Sequence, residues 1–161
     1  MVTTRLSIFR SGRDVSLTDK GRTQVHHLVQ QVRPRRVAAV YSSRIGTAVE
    51  SAELAASELG LASVVVDGLQ DFSAGDLEAA SLHDERRFAV AIGEIADVHR
   101  GETVLVFSHG GAMSPAIPRL SVNAGNNFAG QGFLPNFAVA EVEVDADGWR
   151  LVSWPGASEQ A

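Results

Sequence analysis

A histidine and an arginine that could act on an anion each stand in a short, glycine-containing segment of the 161-residue sequence. His109 is followed by Gly110, and Arg10 is followed by Ser11 and Gly12. Imidazole exchanges protons near neutral pH, and a guanidinium group binds carboxylate or phosphate through two parallel hydrogen bonds. Glycine lets a ligand approach the backbone closely. These residue types are therefore typical of a site for a small anion.

The composition limits which other chemistry this chain can perform. The sequence has no cysteine, which excludes a disulfide framework, a thiol nucleophile and a cysteine-ligated metal. His26 and His27 are adjacent in sequence and so do not form the i, i+4 pair that holds a metal on a helix. His83 and His99 are most simply interpreted as surface residues. We expect no metal and no cofactor.

The charge and hydropathy of the chain bear on its partners and its location. The formal net charge is −5 at pH 7, which disfavours binding to nucleic acid or to an anionic membrane surface. No apolar run approaches the roughly 18 residues that a membrane-spanning helix needs. The first residues lack the pattern of a signal peptide. We therefore expect a cytoplasmic protein that binds neither nucleic acid nor membrane.

Strand-like and helix-like segments alternate along the chain, which predicts a single α/β domain over residues 1–161. Apolar runs predict strands over residues 5–10, 37–41, 63–66 and 103–107, and a final hairpin over residues 137–144 and 149–154 that turns on residues 145–148. Apolar periodicity predicts helices over residues 19–32, from 42–43 to 59, over 84–100, and from Pro115 onward with a kink at Pro118. Thr18 and Gly60 are the predicted helix caps. The glycine- and asparagine-rich residues 123–132 are interpreted as a loop or a lid.

The order of these elements places the two polar segments together. Ligands of a mostly parallel sheet bind beyond the carboxyl ends of its strands. Arg10 follows the first predicted strand and His109 follows the fourth. We therefore expect both side chains at one edge of the sheet.

Six segments, taken in order, resemble the histidine phosphatase superfamily, the phosphoglycerate-mutase-like proteins. They are LSIFRSG at 6–12, LTDKGRTQ at 17–24, VYSS at 40–43 with SAE at 51–53, LQD at 69–71 with glycine at 75 and glutamate at 78, VLVFSHGG at 104–111, and Pro-Asn at 135–136. The resemblance covers nearly the whole chain. It implies a three-layer αβα sandwich with a mostly parallel sheet and a C-terminal antiparallel hairpin.

The resemblance also implies departures from the family's phosphate site. Ser11 stands where the family has its nucleophilic histidine, in an R-H-G signature. Thr47 stands where the family has an arginine, and Arg44 where it has a proline. Asp71 aligns with the family's glutamate acid, and His109 matches its second active-site histidine. Arg10 is likewise retained.

These departures predict altered chemistry. A serine hydroxyl is a poor nucleophile unless a base activates it. Hydrogen bonds to charged groups contribute about 1.5–3 kcal/mol each, so losing two costs roughly 3–6 kcal/mol, or a factor of about 10² to 10⁴ in affinity. Arg44 or Arg13 would restore part of this if its side chain points inward. We predict that phosphohistidine chemistry is lost and that the pocket accepts a larger or less charged ligand.

Three functions follow from this site. The first is a repurposed enzyme that performs acid–base chemistry on a small anionic metabolite. The second is an inactive pseudophosphatase that binds an anionic ligand or a protein, and the third is a residual phosphomonoesterase acting on a phosphate ester. The candidate catalytic residues are His109, Asp71 and Ser11, and the candidate ligand-binding residues are Arg10, Gly12, Arg13, Arg44, Thr47 and Gly110. A homodimer is a further expectation.

Alternatives to a catalytic role remain open for Ser11. It is interpreted either as a small residue in an inactive site, as a residue that makes room for or contacts a ligand, or as an activated nucleophile. Ser11, His109 and Asp71 have the residue types of a hydrolase triad. However, the sequence lacks the G-x-S-x-G turn of such hydrolases, and the family fold directs both histidine rings at the phosphate.

Overall fold

The fold is a mixed sheet with helices on both faces. The structure is a computed structural model that describes residues 3–11, 17–70, 77–123 and 138–153. Within these ranges, the side chains of residues 77–83, 110, 111, 114 and 115 are not described. The strands are β1 (Thr4–Ser11), β2 (Val37–Ser42), β3 (Ser63–Val65), β4 (Thr103–His109), β5 (Val139–Asp145) and β6 (Gly148–Ser153). Their order across the sheet is β3-β2-β4-β1-β5-β6. β1 is parallel to β4, and β2 is parallel to both β3 and β4, whereas β5 is antiparallel to β1 and to β6.

Helices cover both faces of this sheet and give it two cores. The helices are α1 (Asp19–Val32), α2 (Thr47–Leu59), α3 (Leu77–Val98) and α4 (Gly110–Leu120), with a short 3-10 turn at Arg33–Arg35. Buried apolar residues of α1 and α2 pack with Phe9 and Phe107 on one face. Those of α3 and α4 pack with Leu6 and Ile8 on the other. The three-layer αβα architecture predicted from the sequence is therefore confirmed.

Local signals at the ends of elements are also confirmed. The Thr18 hydroxyl accepts a hydrogen bond from the Gly21 amide at 3.0 Å, which caps α1. α1 ends at Val32, just before the turn that contains proline. Gly60 ends α2 with a positive φ of 72°, a conformation that glycine adopts without strain. In the final hairpin, the Asp147 amide donates to Asp145 Oδ1 at 2.8 Å.

Several predicted boundaries were wrong. α2 begins at Thr47 rather than at 42–43, because β2 continues through Ser42 and a turn with Gly46 at a φ of 47° precedes the helix. α3 begins at Leu77 instead of residue 84 and ends at Val98. β4 continues through His109, and α4 begins at once at residue 110 rather than at residue 115.

Two further expectations fall on the edges of the described chain. The outer ends of the hairpin, residues 137 and 154, and most of the proposed loop, residues 124–132, lie outside the described residues. Within the part of the chain that is described, none of the helices has both the length and the apolar character required to traverse a lipid bilayer.

Candidate functional site

The carboxyl ends of β1 and β4 bring the predicted residues together. In the parallel register between these strands, Arg10 lies opposite Ser108 and Ser11 lies opposite His109. Ser11 and His109 are buried, with 2% and 3% of their surface exposed. Because side chains alternate along a strand, they lie on the same face as the phenylalanines two residues before them, which belong to the core under α1 and α2.

A serine holds the His109 ring from the neighbouring strand. Ser43, the residue after β2, places its Oγ 2.6 Å from His109 Nε2. The Ser43 amide donates to the Phe107 carbonyl at 3.1 Å, and the Ile45 amide donates to Ser43 Oγ at 3.3 Å. The Ser43 backbone is thus bonded to β4, and the Ser43 hydroxyl receives the Ile45 amide as well as contacting the imidazole.

Two buried polar atoms at the end of β1 have no hydrogen-bond partner within the described residues. They are Ser11 Oγ and Arg10 Nε. Buried polar groups in native proteins are nearly always satisfied. An anion bound beyond β1 would supply the missing acceptor for Arg10. The first turn of α4 begins directly after His109, and a helix N-terminus favours negative charge.

On the opposite face of β4, Ser108 anchors the segment that leads to Asp71. Its buried hydroxyl donates to the Leu69 carbonyl at 2.6 Å. Arg87 Nη2 donates to the Gln70 carbonyl at 3.4 Å. The chain is therefore fixed up to the residue before Asp71, and Asp71 itself lies outside the described residues.

The other predicted binding residues occupy different surroundings. Thr47 is buried at the start of α2. The Arg44 side chain is 63% exposed, and its guanidinium is paired with the Asp67 carboxylate. Gly110 is the first residue of α4. The remaining two, Gly12 and Arg13, lie outside the described residues.

Three contributing residues were missed by sequence reasoning. Ser43 and Ser108 lie inside the motifs that carried the family resemblance, so their positions in those motifs were the available signal. Glu50, in the first turn of α2, accepts a hydrogen bond from the Leu17 amide at 3.0 Å. This bond fixes the chain where it returns from the segment after β1. No pattern in the sequence predicted the contact between Leu17 and Glu50.

A second polar network lies apart from this edge. Tyr41 Oη is 2.6 Å from His99 Nε2, and His99 Nδ1 is 3.0 Å from Glu102 Oε1. The His99 side chain is 14% exposed, so its interpretation as a surface residue was wrong. Burial, reinforced by the negative charge of Glu102, raises the pKa of Tyr41 above its ordinary value of 10.0.

Among the described residues, no group of three or more metal-ligating side chains is close enough to hold an ion.

Comparison with known proteins places this geometry in a family. The family model of the histidine phosphatase superfamily (branch 1) matches residues 2–87 and 82–156. Phosphoglycerate mutase-like protein 4 of Arabidopsis thaliana is 26% identical in an alignment that covers 69% of this chain and 63% of that protein. The chain thus spans less than two thirds of that relative's length.

Solved structures share the fold at low sequence identity. Bacillus stearothermophilus YhfR superposes with a TM-score of 0.76 at 21% identity, covering 92% of this chain and 95% of its own. A phosphoglycerate mutase from Bacillus anthracis gives 0.76 at 17% identity, covering 97% and 94%. A mycobacterial glucosyl-3-phosphoglycerate phosphatase gives 0.72 at 19% identity, covering 93% and 98%. The family model extends over residues 2–156, and the strand order and the site at the ends of β1 and β4 are consistent with it. The chain therefore belongs to the histidine phosphatase superfamily.

Proposed function

We propose that this protein binds a small anionic metabolite between Arg10 and His109 and performs acid–base chemistry on it without forming a phosphohistidine. The observation that carries the proposal is the register of β1 against β4, which sets Ser11 beside His109. In the family's sequence pattern, the position of Ser11 belongs to the nucleophilic histidine. A hydroxyl at that position changes the chemistry that the pocket can support.

The reactivity of serine supports a cycle without a phosphoenzyme. A phosphohistidine hydrolyses readily, whereas a phosphoserine is a stable ester. The Ser11 hydroxyl would also need an activating base, and the nearby imidazole of His109 is already in contact with Ser43 Oγ at 2.6 Å. Ser11 is therefore assigned to contacting the ligand and making room for it.

The charges around the pocket favour a ligand of low charge. Arg10 presents a buried Nε that has no partner within the described residues. The guanidinium of Arg44 is engaged by Asp67, and Thr47 carries no charge. A carboxylate bound bidentately by Arg10 fits this supply of charge better than a phosphate dianion does.

His109 is the group proposed to move a proton. It is the imidazole at the ligand-facing end of β4, and imidazole is matched to proton transfer near neutral pH. Asp71 is proposed as the second acid–base group. Its assignment rests on the family resemblance and on the anchoring of residues 69 and 70 beside Ser108.

A ligand screen tests the proposal. Small carboxylates and phosphate esters are tested by thermal shift, and each hit is titrated by calorimetry against Arg10→Ala and His109→Ala. We expect each variant to weaken binding by about tenfold or more, since a hydrogen bond to a charged group contributes about 1.5–3 kcal/mol. Arg44→Ala is the matched control and should bind as the wild type does. A ligand that stabilises both variants fully would remove the site assignment.

One observation favours a second candidate, a pseudophosphatase that binds without turnover. The Ser43 contact occupies Nε2 of His109 in the structure. Following a bound ligand by proton NMR separates the two: a ligand that remains chemically unchanged indicates binding alone. Turnover of an aryl phosphate that His109→Ala abolishes would instead establish a phosphomonoesterase and overturn both candidates.

A further inference from the structure

We infer that Ser43 is a positioning residue that holds neutral His109 in the tautomer with its proton on Nδ1. The inference deepens the proposed function, on which its consequence for ligand binding rests. Ser43 Oγ and His109 Nε2 are 2.6 Å apart, and both residues are buried. Either atom could donate in such a pair, and the surroundings of Ser43 decide which one does.

The hydroxyl hydrogen of Ser43 requires an acceptor. The residue has no exposed surface, so bulk water does not reach it. Its other hydrogen-bond partner, the Ile45 amide, is a donor and directs its hydrogen at Oγ from 3.3 Å. His109 Nε2 is thus the acceptor that the described residues offer to the Ser43 O–H. Because a buried donor without an acceptor is strongly unfavourable, the hydroxyl donates to Nε2.

The tautomer of His109 follows from that bond. A neutral imidazole has one donor nitrogen and one acceptor nitrogen. With Nε2 accepting from Ser43, the proton lies on Nδ1. A second proton at Nε2 would leave the Ser43 hydroxyl hydrogen without an acceptor among the described residues, so the contact as observed belongs to the neutral ring. The Ser43 backbone is fixed by the bond from its amide to the Phe107 carbonyl.

The experiment is a long-range proton–nitrogen NMR spectrum of the full chain with labelled histidine, recorded without ligand at a pH where the imidazoles are neutral. The His109 signals are assigned by their absence in His109→Ala. We expect a protonated Nδ1 and an unprotonated Nε2 in the wild type. Ser43→Ala should move the ring toward protonated Nε2, and Ser43→Thr, which keeps the hydroxyl, should restore the wild-type pattern.

Ser42→Ala is the matched control, because Ser42 is an equally buried neighbour whose hydroxyl has no partner within the described residues. It should leave the His109 signals unchanged. A protonated Nε2 in the wild type, or an unchanged spectrum in Ser43→Ala, would overturn the inference, and the wild-type spectrum alone suffices if a variant does not fold. Binding of acetate, a simple carboxylate, measured separately, should weaken about three- to tenfold in Ser43→Ala. Failure of the wild type to bind any anion would count against the proposed function and leave the NMR result standing.

Discussion

Ser11 is buried at the end of β1, and Thr47 is buried at the start of α2. In the proposed alignment with the family's pattern, these positions correspond to a histidine and an arginine. Both residues of this chain are small and uncharged. The proposed loss of phosphohistidine chemistry therefore rests on two side chains that can be exchanged.

The double variant Ser11→His with Thr47→Arg should create phosphatase activity toward an aryl phosphate. It supplies the imidazole nucleophile and a second guanidinium, which together replace the roughly 3–6 kcal/mol of anion binding and the missing attacking group. The measurement is release of the aryl alcohol, with quench and mass detection of a phosphorylated chain. Ser11→His alone should form less of this adduct, because the second cation is absent.

Folding of the double variant is checked by its thermal midpoint, since Thr47 is buried and an arginine there must find room. A folded double variant that forms no adduct would show that residues 11 and 47 do not occupy the family's positions. Wild-type protein that forms a stable adduct would contradict the proposal directly.

The sequence predicted which residues meet but not how they bond. Arg10, Ser11 and His109 were found because short motifs fixed their places at strand ends. The pairing of Ser43 with His109 depends on the register of two strands whose residues are far apart in the chain, and the pairing of Arg44 with Asp67 depends on a loop conformation. Neither pairing produces a recognisable pattern in the local sequence, because each depends on the tertiary structure.

At the scale of elements, capping preferences predicted the end of a helix correctly where a side chain caps that helix. Thr18 was predicted as a cap because threonine accepts a hydrogen bond from an amide of the first turn, and it does so. The start of α2 was mispredicted because Gly46, with no side-chain cap, precedes it. Val98, the last residue of α3, is apolar but 73% exposed, so apolar spacing along a helix does not by itself identify the buried residues at its end.

Thr18→Ala should lower the free energy of unfolding by about 1 kcal/mol, because the variant loses the capping bond to Gly21. Urea unfolding measures the difference. Thr23→Ala is the control: Thr23 is exposed on the same helix and bonds only to the Asp19 carbonyl of its own turn. A loss in Thr23→Ala as large as that in Thr18→Ala would contradict a capping effect.

The network of Tyr41, His99 and Glu102 predicts a pH dependence of stability. The folded state raises the pKa of Tyr41, so above its ordinary value of 10.0 the unfolded chain loses this proton before the folded chain does. The contribution is therefore fully present below pH 10 and is lost as pH rises through the folded pKa. Urea unfolding between pH 8 and 11 should show a steeper decline for the wild type than for Tyr41→Phe. Parallel curves for the two proteins would show that Tyr41 does not contribute.

At the scale of the whole molecule, one sheet separates two cores. The core of α1 and α2 contains Phe9 and Phe107, which lie on the same face of the sheet as Ser11 and His109. The core of α3 and α4 contains the buried Ile92. The sandwich was predictable because alternation of strands and helices leaves few ways to cover both faces of a parallel sheet.

Ile92→Ala should lower the free energy of unfolding by about 2–5 kcal/mol, since it leaves a cavity between α3 and the sheet. Val98→Ala, on the same helix but exposed, should change it by less than about 0.5 kcal/mol. Chemical denaturation of both variants and the wild type measures these differences in the free energy of unfolding. An effect in Val98→Ala as large as that in Ile92→Ala would contradict this contrast between a buried and an exposed residue. The homodimer expected from the sequence stays a prediction, and analytical ultracentrifugation would measure the oligomeric state.

The position of β1 between β4 and β5 has a consequence for biosynthesis. This strand has no neighbour in the sheet until residues 103–109 have been made, because both of its partners come later in the chain. At roughly 5–20 residues per second, that wait lasts roughly 5–20 s. Ser11 and His109 are therefore not brought together in a nascent chain that stops before β4, and the proposed ligand can add stability only after β4 has been made.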